Sequence, residues 1–273
     1  MDKEISSTAA KWQQELASGG YENSIRNWKE FVRFTRLSRT WEYILNATNL
    51  KPGASIFEFG CGGGNQLVPL ALRGYRCFGI DCSGDVLERC KSFVVDVEKF
   101  SGKSLGVQLI CGDFLSFDSQ KQFDLVFNFG VIEHFTNGIE RDSAVRKMFS
   151  LCKPGGYVIS VVPSGQHPLR ERMRRERLGG YNIPEIDYTY ELMSSEMLSA
   201  GAQTVNVMPF NLFAYLLIIP ATPILRMLRK LYYYSWQLVP VSLLPRRFAS
   251  RHAFGLIGIG RKPDRKAPIL ATY

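Results

Sequence analysis

The 273 residues are 45% hydrophobic and 22% charged and carry a net charge of +9. That balance excludes a disordered or fibrous chain and leaves room for one large α/β domain or two small ones. Six cysteines (Cys61, Cys77, Cys82, Cys90, Cys111 and Cys152) stand in apolar contexts without a Cys-x-x-Cys pair, so reduced, buried thiols are expected rather than a disulfide framework or a zinc site.

The chain opens on MDKEISSTAAKWQQEL, which lacks the apolar centre of a secretory leader and predicts a cytoplasmic setting. Residues 1–50 are expected to form a helical cap. Short apolar runs then follow: SIFEF (55–59), CFGID (77–81), VQLIC (107–111), FDLVFN (123–128), GYVISVV (156–162), TVNVM (204–208) and AFGLIGIG (253–260). They are rich in Val, Ile and Phe and mostly too short for helices, which predicts strands. Helical pieces lie between them: Asn65 to Arg73, stopped by Gly74; Gly84 to about Glu98, with Ser83 as N-cap; Ile139 to Leu151, ended by Pro154; and Glu191 to Ala200, stopped by Gly201. Nearly continuous apolar strands alternating with helices predict a mostly parallel, Rossmann-like sheet of seven strands, covered on both faces. The expected division is a single domain: the cap, a core over 51–210, an insertion over 211–252, and the last strand and tail over 253–273.

The first strand runs into EFGCGGGN, where four glycines fall within five positions before a helix. Such a loop lets backbone approach a ligand without a Cβ in the way. A dinucleotide fingerprint fails here, because the sixth position is Asn65 counted from Gly60 and Leu67 counted from Gly62. The acid at Glu58 is also out of place beside a pyrophosphate. It suits a ligand with positive charge and no phosphate. Asp81 ends the second strand, where a carboxylate can accept from ribose hydroxyls. Asp113 follows the third, placed to accept from an exocyclic amine, with Phe114 able to lie against a purine ring.

In its glycine motif (Glu58, Gly60, Gly62, Gly64), its two strand-end acids (Asp81, Asp113), the segment FDLVFNFGVIEHF (123–135) and the leader LCKPGGYVISVVPS (151–164), the chain resembles the class I S-adenosylmethionine-dependent methyltransferases. AFGLIGIGRKP (253–263) resembles the antiparallel seventh strand of that family. The resemblance implies S-adenosylmethionine as cofactor, held by Glu58, Gly60, Cys61, Gly62, Gly64, Asp81, Cys82, Asp113, Phe114, Asn128, Phe129 and Gly130. The G-V-I-E-H stretch is most similar to the small-molecule branch, including the O-methyltransferases of quinone biosynthesis. Some of those carry a further Glu where this chain has Gly130 and hold a divalent metal there, so no metal is expected. The N-P-P-Y or D-P-P-Y segment of nucleobase-amine methyltransferases is absent, since Asn128 is followed by Phe129 and Gly130.

Methyl transfer is an in-line displacement in which alignment matters most. A base is needed only where the acceptor still holds its proton. His134 is the candidate, either as that base or as a residue that packs and bonds backbone; Glu133 is its rival. The implied reaction is methylation of a small, apolar or lipid-linked acceptor, at oxygen in preference to carbon or nitrogen. A nucleic-acid methyltransferase and a non-catalytic S-adenosylmethionine-binding protein remain as alternatives.

From Asn211 onward ten Lys/Arg face one acid, Asp264, so the last 63 residues carry the whole charge excess. Within them, Leu212 to Leu225 is nearly all apolar, followed by Arg226, Arg229 and Lys230, then Tyr232, Tyr233, Tyr234 and Trp236, and finally Arg246 and Arg247. Pro220 and Pro223 argue against a transmembrane helix, which needs about 20 unbroken apolar residues. Two readings stay open: a lid over the sheet end enclosing an apolar acceptor, or contact with an anionic membrane surface from the cytoplasmic side, to which the run Arg170 to Arg177 contributes.

Overall fold

In the computed structural model, described for residues 10–12, 14, 23–176, 178 and 183–264, the seven strands form one sheet in the order β3-β2-β1-β4-β5-β7-β6. They are β1 (Ser55–Phe59), β2 (Arg76–Asp81), β3 (Val107–Cys111), β4 (Phe123–Phe129), β5 (Cys152–Pro163), β6 (Thr204–Phe210) and β7 (Gly255–Arg261). Only β7 runs against its neighbours, pairing antiparallel with both β5 and β6. The expected sheet is therefore present. The sequence could not give the strand order, in which β1 pairs with β2 and β4 and the chain reverses direction of travel beside the glycine loop.

Helices α1 (Trp28–Thr35), α2 (Arg39–Thr48), α3 (Leu67–Ala71), α4 (Gly84–Ser101), α5 (Gly138–Leu151), α6 (Arg170–Arg175) and α7 (Tyr190–Ser199) surround the sheet. Ser83 caps α4 by accepting from the Val86 amide, and Gly102 closes it in the left-handed conformation. Two apolar clusters lie on the two faces. One gathers Trp41, Ile56, Leu67, Phe93 and Phe127; the other gathers Phe57, Phe59, Phe123, Met148 and Tyr188. Trp41 meets Phe127 edge-on at 4.7 Å and donates to Gln66 Oε1 at 3.0 Å, which ties the described N-terminal helices to the glycine loop.

Several boundaries differ from expectation for local reasons. The helix expected over 65–73 is only Leu67–Ala71, because Gly64, at φ +81°, holds Asn65 and Gln66 in the turn. α5 is not stopped by Pro154. It passes directly into β5 at Cys152, which pairs with Phe123, and a register shift before Leu125 absorbs the residues up to Tyr157. β6 runs on through Pro209, tolerated because it is an edge strand. β3 is the opposite edge, which is why Cys111 is exposed rather than buried; Cys82 is half-buried, and the other four thiols are buried as expected.

The insertion folds into α8 (Tyr215–Ile218), α9 (Pro223–Trp236) and α10 (Arg246–His252). Pro223 does not interrupt a helix but begins one, with Thr222 as N-cap. Among the described residues no helix is long and apolar enough to cross a membrane. Most of the cap expected before residue 23, Arg177, and the basic tail with Arg265 and Lys266 lie outside the described residues.

Candidate active site

β1 is buried along its whole length, so the loop that follows is delivered to the carboxyl edge of the sheet between β2 and β4. Gly60 and Cys61 both donate to Ile80 O, at 2.9 and 3.1 Å, pinning the turn across β2. Gly60 has φ +66°, and a Cβ there would meet Val131 Cγ2 at 2.7 Å. Gly64 is tighter still: a Cβ would sit 2.6 Å from Cys90 Sγ. We expect Gly64→Ala to destabilise the fold by about 1–3 kcal/mol, through left-handed strain and overpacking together, lowering the melting temperature by roughly 5 °C. An unchanged thermal melt would show that this turn is not held as described.

The loop borders a cavity of about 230 Å³. Ten of the twelve expected cofactor residues line it: Glu58, Gly60, Cys61, Gly62, Asp81, Cys82, Asp113, Phe114, Phe129 and Gly130. Two do not. Gly64 faces Cys90 and Val68 in the interior. Asn128 is fully buried and donates to Ser160 Oγ at 2.9 Å, because alternate residues of a strand point to opposite faces. The sequence reading missed Trp12, Gly63, Asn65, Gln66, Gly112, Val131 and Phe135 in the lining. Trp12 could not have been found from spacing, since it comes from the distant N-terminal stretch. Among the described residues nothing from 209–252 lines the cavity, so the insertion is no lid over it.

Three carboxylates, and no Lys, Arg or His, line this cavity among the described residues. Asp81 accepts from Gly62 N at 2.9 Å and Ser83 N at 3.0 Å, yet burial still raises its pKa. Glu58 is buried and its Oε2 has no partner; burial first, then the charge of Asp81, pushes its carboxyl well above the usual range. A cationic ligand relieves both carboxylates, whereas a phosphate would face three like charges. Asp113 takes the Leu115 amide at 3.0 Å, and Phe114 is held against Phe59 with ring centroids 4.6 Å apart. The acid-lined glycine cradle, with an orphaned buried carboxylate oxygen, fits an adenosine-bearing sulfonium with an ammonium group.

A family model described as a methyltransferase domain matches residues 57–160. Residues 57–160 form a class I S-adenosylmethionine-dependent methyltransferase domain. An uncharacterised methyltransferase of Geobacillus kaustophilus is 28% identical over 140 residues, covering 51% of this chain and 60% of that protein. A ubiquinone biosynthesis O-methyltransferase of Pseudomonas fluorescens is 25% identical over 185 residues, covering 57% of this chain and 77% of that one. Among solved structures, a methyltransferase from Archaeoglobus fulgidus superposes with a TM-score of 0.55 at 15% identity, over 85% of this chain and 97% of its own. The magnesium protoporphyrin IX methyltransferase of Synechocystis, solved with S-adenosylhomocysteine, gives 0.53 at 13% identity over 93% of both chains. At those identities the superpositions establish the shared fold.

In this methyltransferase domain Glu133 and His134 sit on a short 3-10 turn (Ile132–His134) after β4. Neither lines the cavity, but their neighbours Val131 and Phe135 do. His134 meets Trp12 edge-on at 5.0 Å, and Trp12 is part of the lining. His134 Nδ1 lies 3.1 Å from Pro184 O. A carbonyl only accepts, so Nδ1 carries the proton and Nε2 keeps its lone pair. Burial lowers the His134 pKa, which favours that neutral form. Glu133 is buried with Oε2 unpartnered, and burial lifts its pKa to about 8.

Glu133, His134 and Glu185 bring donor atoms within 4.8 Å of one another, so the missing carboxylate at Gly130 is replaced in space by one from a different segment. Glu185 is already paired with Arg170 at 2.6 Å. A guanidinium beside the cluster and a carboxyl kept protonated by burial both oppose a divalent cation, so these residues fit a metal poorly.

Proposed function

We propose that this chain methylates a hydroxyl oxygen of a small, apolar or lipid-linked acceptor, using S-adenosylmethionine. The observation that carries this reading is the His134 bond to Pro184 O, which orients a neutral imidazole whose unprotonated Nε2, 4.0 Å from Glu133 Oε1, is available as a base. An amine already lacking its proton has no need of one for the attack. The likeness to ubiquinone biosynthesis O-methyltransferases supports oxygen as the acceptor atom.

Glu58 would hold the ammonium group of the cofactor, Asp81 its ribose hydroxyls, and Asp113 with Phe114 its adenine. When bound, the cofactor supplies a methyl group on a sulfonium, whose departure as a thioether needs no proton. The remaining work belongs to the chain. Trp12, Phe129, Val131 and Phe135 give the cavity apolar walls that exclude water and favour an apolar acceptor. His134 Nε2 takes the hydroxyl proton as the oxygen becomes nucleophilic. Phe114 and Phe135 meet edge-on with ring centroids 5.4 Å apart, which braces that wall of the cavity, and alignment is the larger part of catalysis in a displacement.

Incubating the chain with methyl-labelled S-adenosylmethionine and fractionated cell extract tests this reading. Label is expected in organic-extractable small molecules as an ether methyl identified by mass spectrometry and NMR. Label confined to RNA or protein, or no transfer into any fraction, overturns it.

A further inference from the structure

The helix α9, Pro223–Trp236, presents an apolar face to solvent. Ile224, Met227, Leu228, Leu231 and Tyr234 recur at helical spacing on that face, and Leu238 continues it past the helix end. Their exposures are 71% for Ile224, 60% for Leu231 and 80% for Leu238, so little among the described residues packs over them. The helix is nonetheless firmly seated by its other side. Arg229 donates to Ile219 O at 2.9 Å, Trp236 packs on Phe213 at 5.0 Å, and Arg39 donates to Gln237 O at 3.3 Å. The apolar stripe is thus a fixed surface of the fold.

Charge says what it meets. On a helical projection Lys230 borders the stripe and Arg226 lies further round the same flank, while Arg229 is turned inward to the carbonyls. Between Glu196 and Asp264 the sequence contains no acid at all. At the far end of α9, Trp236 touches Phe248 of α10 at 5.5 Å, and that helix carries Arg246, Arg247 and Arg251, which with Glu191 line a separate groove. An apolar stripe edged by cations and aromatic residues is the pattern of a helix lying in a membrane interface, with leucines among the acyl chains and basic groups at acidic headgroups. A nucleic acid would use the cations and leave the leucines in water. β6 runs parallel to β5, so the insertion also leaves the sheet at the edge that bears the glycine loop.

We infer that α9 docks this chain on an anionic phospholipid bilayer. The test is flotation of the full chain with vesicles of equal parts phosphatidylcholine and phosphatidylglycerol, against phosphatidylcholine alone. The chain is expected to float with the anionic vesicles, and more weakly with neutral ones or in high salt. The double variant Leu228→Asp with Leu231→Asp should bind at least about tenfold more weakly. Arg226→Glu with Lys230→Glu should abolish the preference for anionic lipid. All four side chains are exposed, and calorimetric titration with S-adenosylmethionine is expected to be unchanged in both variants, which separates failure of docking from failure of the proposed reaction. No flotation with anionic vesicles, or flotation indifferent to both variants, overturns the inference. So does a concentration-dependent dimer, dissociated by the leucine variant, in a chain that binds no vesicles.

Discussion

His134→Ala lowers turnover by about 100-fold or more, the usual range for loss of a general base, with cofactor affinity unchanged. The split is expected because His134 stands outside the cavity lining while its ring is fixed by Pro184 O and Trp12. Since burial holds its pKa below the ordinary value of 6.5, the imidazole is neutral at physiological pH. Turnover should therefore be level around neutrality and fall as pH drops through that lowered pKa. The rival base predicts the rise at higher pH. Glu133, with a pKa of about 8, is protonated at neutral pH, so as a base it would make turnover climb through pH 8. Glu133→Gln mimics the protonated acid and is expected to leave turnover at pH 7 little changed. Steady-state kinetics across pH on the two variants decides between them. Unchanged turnover in His134→Ala would leave the imidazole a packing residue.

Asp81→Ala weakens cofactor binding by about 1–3 kcal/mol, the range for leaving buried polar partners unmatched, or roughly 5–150-fold in Kd. Two effects combine. The cofactor loses the acceptor proposed for its ribose hydroxyls, and the Gly62 and Ser83 amides lose theirs within a buried turn. Asp81→Asn keeps one acceptor oxygen and should fall between wild type and alanine, which separates lost hydrogen bonding from general disruption of the loop. Calorimetry with S-adenosylmethionine reads the affinity, and a thermal melt reads the loop. Wild-type affinity in the alanine variant would remove Asp81 from the site.

Strands and their acids were legible because they depend on local sequence. SIFEF, CFGID and VQLIC are short runs rich in β-branched, aromatic and other apolar residues, and a strand ending in Asp81 or a turn holding Asp113 delivers that carboxylate to the sheet edge whatever lies elsewhere. The same locality failed at Asn128. The position lies at the correct strand end, but its side chain points to the face where Ser160 and Met148 wait, and only the register of β4 with β5 decides that. At α5 it reached the right end, Leu151, for the wrong reason, since Pro154 resembles a stop signal but lies within β5, after the helix has already ended.

Alternating apolar strands and helices, the glycines after β1 and three strand-end acids are properties of neighbours along the chain, and from them the sequence alone determined the class of fold, the cofactor chemistry and most of the lining. What is near in space but far in the chain was the tertiary structure's to decide. Trp12 beside His134, Glu185 beside Glu133, and a basic apolar helix turned outward instead of over the cavity each depend on how separate segments pack. The physical reason is that hydrogen-bond geometry and periodicity act within a few residues, whereas burial sums over the whole chain and settles orientation only once every element has its partner.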